Sequence, residues 1–247
     1  MAKKLWGERF GKKTDPLVEE FTRSIHYDCK LAAYDIAGSI AHVAILRKAG
    51  YLTAAEASRL TSALKSIERE LVKDGSFKPD DSYEDVHTQI QDVVARKVGK
   101  LALKLHTARS RNDQVVFAVK MYCKDKIVGV RSDIAAFEKT ISGLIAKNKG
   151  MVIPGFTHMQ HAQPIYLKDY LDAYAAMLKR DAERLGNIGA GIKPTLGAGA
   201  MAGTPISASK YGAFVVSNSI DTVSDRDFVI EILSALAIVG MHLSRLA

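Results

Sequence analysis

Apolar positions along this chain recur at helical spacing almost throughout, and the elements they predict are helices. Asp15-Pro16 reads as a cap followed by proline at a first helical position, which predicts a short helix through Val18 and Phe21. A second helix is predicted over residues 31–48, ending at Gly50. Thr53-Ala54-Ala55-Glu56 has the form of a capping box, and the helix it opens runs through Leu60, Leu64 and Leu71 to Gly75. A polar loop with a Pro-Asp turn signal follows over residues 76–82, then a helix over residues 83–98 that stops at Gly99.

The second half has longer periods. Residues 111–149 contain no proline and only two glycines. From Ile127 the apolar positions Val130, Ile134, Phe137, Ile141 and Leu144 step by 3 and 4 in turn, the seam of a coiled-coil-like bundle. A helix of ~38 residues is ~57 Å long at 1.5 Å per residue, a rod that a small monomer cannot cover, so partner helices from other subunits are expected. Another long helix is predicted over residues 166–187, followed by a loop of small residues over 189–212. Residues 225–247 are apolar nearly all round, as in a helix at a bundle centre. Neither a strand pattern nor an internal repeat competes. The expected fold is all-α: a small N-terminal helical domain (1–104) and a long-helix bundle domain (105–247).

Composition changes this picture little. The hydrophobic content of 47% and charged content of 25% are those of an ordinary globular protein. No apolar run reads as a membrane span, and Met1-Ala2-Lys3-Lys4 leads to Trp6 instead of an apolar signal core. Cys29 and Cys123 form no metal or redox motif, which fits a reduced cytoplasmic compartment. A net charge of +8 raises the question of a nucleic-acid partner, but the basic residues are scattered and no aromatic-basic stacking motif occurs. An anionic metabolite accounts for the charge better, and neither a nucleic-acid nor a membrane partner is expected.

Four polar clusters sit at helix starts or in loops, where chemistry is usually placed. They are Ser24, within Phe21-Thr22-Arg23-Ser24-Ile25; Glu84-Asp85-Val86-His87-Thr88; the segment from His106 to Gln114; and Gly155 to Pro164. In the third, free N–H groups at a helix start beside Arg109 and Arg111 would suit a carboxylate. In the fourth, His158 and His161 have metal-like spacing, but no Cys, Asp or Glu completes a set, and proton transfer suits them better.

Leu105-His106-Thr107-Ala108-Arg109-Ser110-Arg111-Asn112-Asp113-Gln114-Val115 resembles the signature of the argininosuccinate lyase family within the fumarase–aspartase superfamily. Superfamily members acting on fumarate, aspartate or adenylosuccinate lack the Arg-Ser-Arg-Asn-Asp-Gln string. The resemblance extends to Leu5-Trp6-Gly7 with Arg9-Phe10, to residues 84–88, to Gly155 to Pro164, and to Ser224-Asp225-Arg226-Asp227-Phe228. One departure is Pro205-Ile206-Ser207-Ala208-Ser209-Lys210, where the family usually carries an Asp-Arg pair. The family's flexible Gly-Ser-Ser loop and Met-Pro-Gln-Lys-Lys-Asn segment lie beyond the matched region, so this chain by itself is expected to be inactive or nearly so.

The resemblance implies β-elimination of fumarate from argininosuccinate to give arginine, without metal or organic cofactor, in a homotetramer whose sites combine segments of different subunits. It also implies site residues. His158 and Thr157 are the catalytic candidates, with His158 either the base or the acid partner of a serine outside this chain. Ser24, His87, Arg111, Asn112, Thr157 and Gln163 are the substrate-binding candidates. A sister fumarate-releasing lyase and a non-catalytic, crystallin-like protein on the same scaffold are the alternatives.

Overall fold

The computed structural model describes residues 14–73 and 76–247. The N-terminal motif Leu5-Trp6-Gly7 with Arg9-Phe10, the Met1-Ala2-Lys3-Lys4 segment and the helix stop at Gly75 lie outside them. In chain order the elements are α1 (Pro16–Thr22), α2 (Ile25–Asp28), α3 (Ala32–Lys48), α4 (Ala54–Leu71), the short antiparallel pair β1 (Val72–Lys73) and β2 (Ser76–Phe77), and α5 (Val86–Val98). After a 3₁₀ segment, Gly99–His106, come α6 (Arg111–Lys147), β3 (Val152–Thr157), β4 (Gln160–Tyr166), α7 (Leu167–Gly191), α8 (Ser219–Ser224) and α9 (Asp227–Leu246). The fold is the expected helical one.

The helix ends follow their local chemistry. Asp15 caps α1 by accepting from the Leu17 N–H at 2.8 Å, with Pro16 in the first turn. The box at α4 is reciprocal: the Glu56 N–H donates to Thr53 Oγ1 at 3.2 Å, and the Thr53 N–H donates to Glu56 Oε2 at 2.9 Å. Asp85 caps α5 through the Thr88 N–H at 2.6 Å.

Two compact units result: residues up to Tyr122 together with Pro194–Asp225, and Cys123–Lys193 together with Arg226–Ala247. The first is built on Ile36, Leu46, Leu60, Leu64, Ile67, Val86, Val94, Phe117 and Leu196, all buried. Each such side chain contributes about 1.5–3 kcal/mol by leaving water. Gly38 lets the Phe117 ring lie against α3, since a Cβ there would meet the ring at 2.7 Å. Helix α3 is buried on more than one side, yet it carries Asp35, Ser39 and His42 at the 4,3 spacing of one helical stripe. His42 Nε2 donates to the Thr107 carbonyl at 2.9 Å.

In the second unit half of the predicted seam of α6 is buried: Ile127, Ile134 and Ile141 at seven-residue intervals, with Val130 and Phe137 half-buried and Leu144 exposed. Helix α7 contributes Leu171, Tyr174, Leu178 and Leu185, and α9 packs on it with Phe228, Ala235 and Val239. Asp181 on α7 accepts from His242 Nδ1 and from Arg184 Nη1, both at 2.6 Å. Two stretches, Pro16–Lys48 and Asp227–Leu246, are long and apolar enough for a membrane span by length and composition alone, contrary to the sequence expectation. Pro16–Lys48 is divided among α1, α2 and α3, and α9 pairs polar groups with α7.

The second departure is between α6 and α7, where a loop was expected and an antiparallel hairpin forms. Thr157 pairs with Gln160, so the turn is only His158-Met159, with φ of 49° and 61°. Positive φ at both central residues is the type I′ geometry, which Asn-Gly normally fills. Proline opposite proline (Pro154 and Pro164) and the lack of an Asn-Gly signal hide this hairpin from pattern reading.

Two expectations follow. Burial, then the charge of Arg109, pushes the His42 imidazole down to about 3, against the Thr107 carbonyl that favours its charged form. The unfolded chain, with His near 6.5, therefore takes up a proton that the folded chain refuses. This contribution to stability is complete above pH 6.5 and is lost as pH falls towards 3, at up to about 1.4 kcal/mol per pH unit. Urea unfolding at pH 7 and pH 4.5 should show the loss, and His42→Gln, which keeps a donor for Thr107, should flatten it. An unchanged slope in the variant would refute the assignment. In the hairpin, Met159→Gly removes a left-handed penalty of about 1–2 kcal/mol per residue, partly offset by glycine's entropy. A net gain of up to about 1 kcal/mol is expected in denaturant unfolding.

Candidate active site

Three of the four polar clusters meet within the first unit. The Ser24 and Ile25 N–H groups both donate to the Glu84 carbonyl, at 2.8 and 3.1 Å. Ser24 Oγ donates to Asp28 Oδ2 at 2.6 Å, and Asp28 Oδ1 accepts from the Val86 N–H at 3.1 Å. Burial raises the Asp28 carboxyl, while the Ser24 hydrogen bond and the charge of His87 pull against it. From the other side, Arg111 Nη2 donates to Thr88 Oγ1 at 3.1 Å and stands 3.7 Å from Asp85 Oδ1. Residues 84–88 are thus clamped between the Ser24 turn and the start of α6.

Asn112 is exposed at that start, and its Nδ2 donates to the Ala200 carbonyl at 3.1 Å. Its neighbour Asp113 is buried and accepts from the Gly199 N–H at 3.1 Å. Burial raises the Asp113 carboxyl, opposed by the charge of Arg109. The small-residue loop is therefore tied to the signature segment at two points. Pro205 to Lys210 is anchored too: Ile206 is buried, and the Thr204 and Tyr211 hydroxyls lie 2.6 Å apart.

Two readings of this segment need correction. Arg109, expected to face a carboxylate with Arg111, is turned into the core, where its Nη1 donates to Ser39 Oγ at 2.9 Å. It is structural, and Arg111 alone is left at the edge. The N–H groups at the start of α6 are also partly used internally: Ser110 N donates to Asp113 Oδ1 at 3.1 Å, and Asn112 N donates to Ser110 Oγ at 3.2 Å.

His87, in the first turn of α5, is 2% exposed, and its Nδ1 lies 3.2 Å from Asp35 Oδ1. The same oxygen accepts from Gln114 Nε2 at 2.6 Å and stands 3.7 Å from Arg109 Nη2. Burial alone would raise the Asp35 carboxyl, but the charges of His87 and Arg109 beside it and the Gln114 hydrogen bond outweigh it and hold it at about 2. Sequence reasoning passed over Asp35, Ser39 and His42, which hold these segments from α3. The signal was present: three polar residues on one stripe of a helix that is largely apolar.

The fourth cluster lies in the second unit, on the hairpin. Thr157 ends β3, His158 and Met159 form the turn, and Gln163 sits on β4; all four are exposed. His161 stacks on Phe156, with ring centroids 4.7 Å apart. A histidine and a methionine held in left-handed backbone, at a turn where glycine is cheaper, mark a place where side-chain identity outweighs backbone ease.

The chain is 45% identical over 252 residues to an argininosuccinate lyase of Desulforudis audaxviator, covering 98% of this chain and 54% of the relative. It is 43% identical to another argininosuccinate lyase, from Crocosphaera subtropica, covering 99% of this chain and again 54% of the relative. The chain thus spans about half the length of the curated relatives it matches. Among solved structures, an EDDS lyase variant with bound fumarate superimposes with a TM-score of 0.76 at 28% identity, over 88% of this chain and 44% of that one. A family described as Lyase matches residues 8–247, and the chain belongs to it.

Proposed function

We propose that this chain carries part of the active site of an argininosuccinate lyase, which releases fumarate by β-elimination and leaves arginine. The observation that carries the reading is the near-complete match, at 45% identity, to a relative of that name. It gains support from the joining of Ser24, residues 84–88 and Arg111 into one polar assembly. The structural neighbour with bound fumarate fits the same product.

In this reaction a base takes a proton from the succinyl carbon beside a carboxylate, and the carbon–nitrogen bond to the guanidinium breaks. Charge builds on that carboxylate, so fixed donors aimed at it lower the barrier. Thr157 Oγ, Asn112 Nδ2 and the Arg111 guanidinium are the donors we assign to the succinyl end. Ser24 and His87 are assigned to the arginine end, and Gln163 supports the hairpin. His158 is the proton-transfer residue, as base or as acid. We further propose a homotetramer in the cytoplasm. The exposed apolar side chains of Val128, Leu144, Ile230, Leu233 and Met241 on the long helices support the assembly, since burying them against a partner would remove apolar surface from water.

The relatives are about twice as long, so the assay pairs this chain with the C-terminal remainder of one of them and follows fumarate absorbance from argininosuccinate. Arginine and fumarate should appear in equal amounts. Fumarate from a different succinyl amine, and none from argininosuccinate, would assign the chain to a sister lyase; release from no succinyl compound would leave a structural role. In the active pair, His158→Asn should lower turnover by about 10²–10⁴-fold, with little change in unfolding midpoint because the residue is exposed. Full turnover in that variant would remove His158 from the mechanism.

A further inference from the structure

We propose that Asp35 is a positioning residue that holds the proton of the His87 ring on Nδ1, so that Nε2 is the nitrogen His87 offers to a ligand. The geometry is that of a histidine braced from behind. Asp35 comes from the middle of α3 and His87 from the first turn of α5, and the two side chains are 1% and 2% exposed. Nδ1 lies 3.2 Å from Asp35 Oδ1, close enough for an N–H to be drawn to the oxygen, though not aligned as an ideal hydrogen bond.

The alternative tautomer would set the Nδ1 lone pair against a carboxylate oxygen at that distance, out of water, where repulsion is weakly screened. A carboxylate that stays ionised can only accept, so a hydrogen placed between the two atoms belongs to the ring. Asp35 is itself fixed: Gln114 donates to the same oxygen at 2.6 Å, and Arg109, anchored on Ser39, stands 3.7 Å away. The cavity that Asp35, Ser39, His87, His106, Arg109 and Gln114 help to line is about 20 Å³. That is room for about one water. For a neutral ring, Nε2 is then an acceptor, suited to the N–H groups of a guanidinium.

The kinetic half of this inference rests on the reading of His87 as a substrate contact; the tautomer does not. The test therefore has two readouts. With 15N-labelled histidine in the full chain, two-bond proton–nitrogen spectra should show His87, assigned by its loss in His87→Gln, protonated on Nδ1. A ring protonated on Nε2 alone overturns the proposal, and this measurement on the unaltered protein needs no variant to fold. In the active pair described above, Asp35→Asn should lower kcat/KM at least ten-fold, mostly through KM. In a His87→Ala background the same change should cost nothing further. Equal losses in both backgrounds would mean that Asp35 acts only on the scaffold, and would overturn the positioning role. If the unaltered pair releases no fumarate from argininosuccinate, the activity reading fails, and the spectra still decide the tautomer.

Discussion

The first unit is organised around a carboxylate that has no business in a hydrophobic core unless its neighbours answer it. Asp35 lies on a helix whose other faces are packed with Ile36, Val43 and Leu46. Removing an ion of that size from water costs several kcal/mol even after the protein relaxes. The cost is offset only if donors are delivered from elsewhere, and they come from two places: His87 on α5, and Arg109 with Gln114 at the start of α6. A single buried charge therefore dictates the relative placement of three segments distant in sequence. Ser39 and His42, on the same stripe, extend the grip to Arg109 and the Thr107 carbonyl. The start of α6, which carries Arg111 and Asn112, is held in place by its neighbours Arg109, Asp113 and Gln114, whose side chains point inward.

That arrangement explains what could be read from the sequence. Helix boundaries were legible at Asp15-Pro16, Thr53 to Glu56 and Gly99, because caps and left-handed stops are local chemistry. The seam of α6 was legible because Ile127, Ile134 and Ile141 repeat at a fixed interval. The inward turn of Arg109 was not, since its partners Ser39 and Asp35 lie about seventy residues earlier and no local rule connects them. The hairpin escaped for a different reason. Its strands bury no residue fully and carry Pro154, Gly155 and Pro164, so their letters do not show the apolar–polar alternation of a half-buried strand.

The second unit poses the opposite physical situation. Among the described residues its buried charge is Asp181, shared between His242 and Arg184, while many of its apolar residues stay exposed. Helix α9 buries Phe228, Ala235 and Val239 against its own unit and leaves Ile230 and Leu233 more than 60% exposed. The two units thus differ in what holds them: a buried polar lock in one, apolar seams that leave large side chains exposed in the other.

The hairpin also constrains the number of residues it can contain. Its pairing shifts between Pro154 and Phe156, where Ala162 and Gln163 together face Gly155. A Cβ on Gly155 would sit 2.7 Å from the Gln163 carbonyl oxygen. Strand faces alternate with every residue, so one residue gained or lost between this bulge and the turn would send Thr157 to the opposite face. The segment can therefore change its letters more freely than its length, and a deletion that left every motif residue present would still misdirect the hydroxyl.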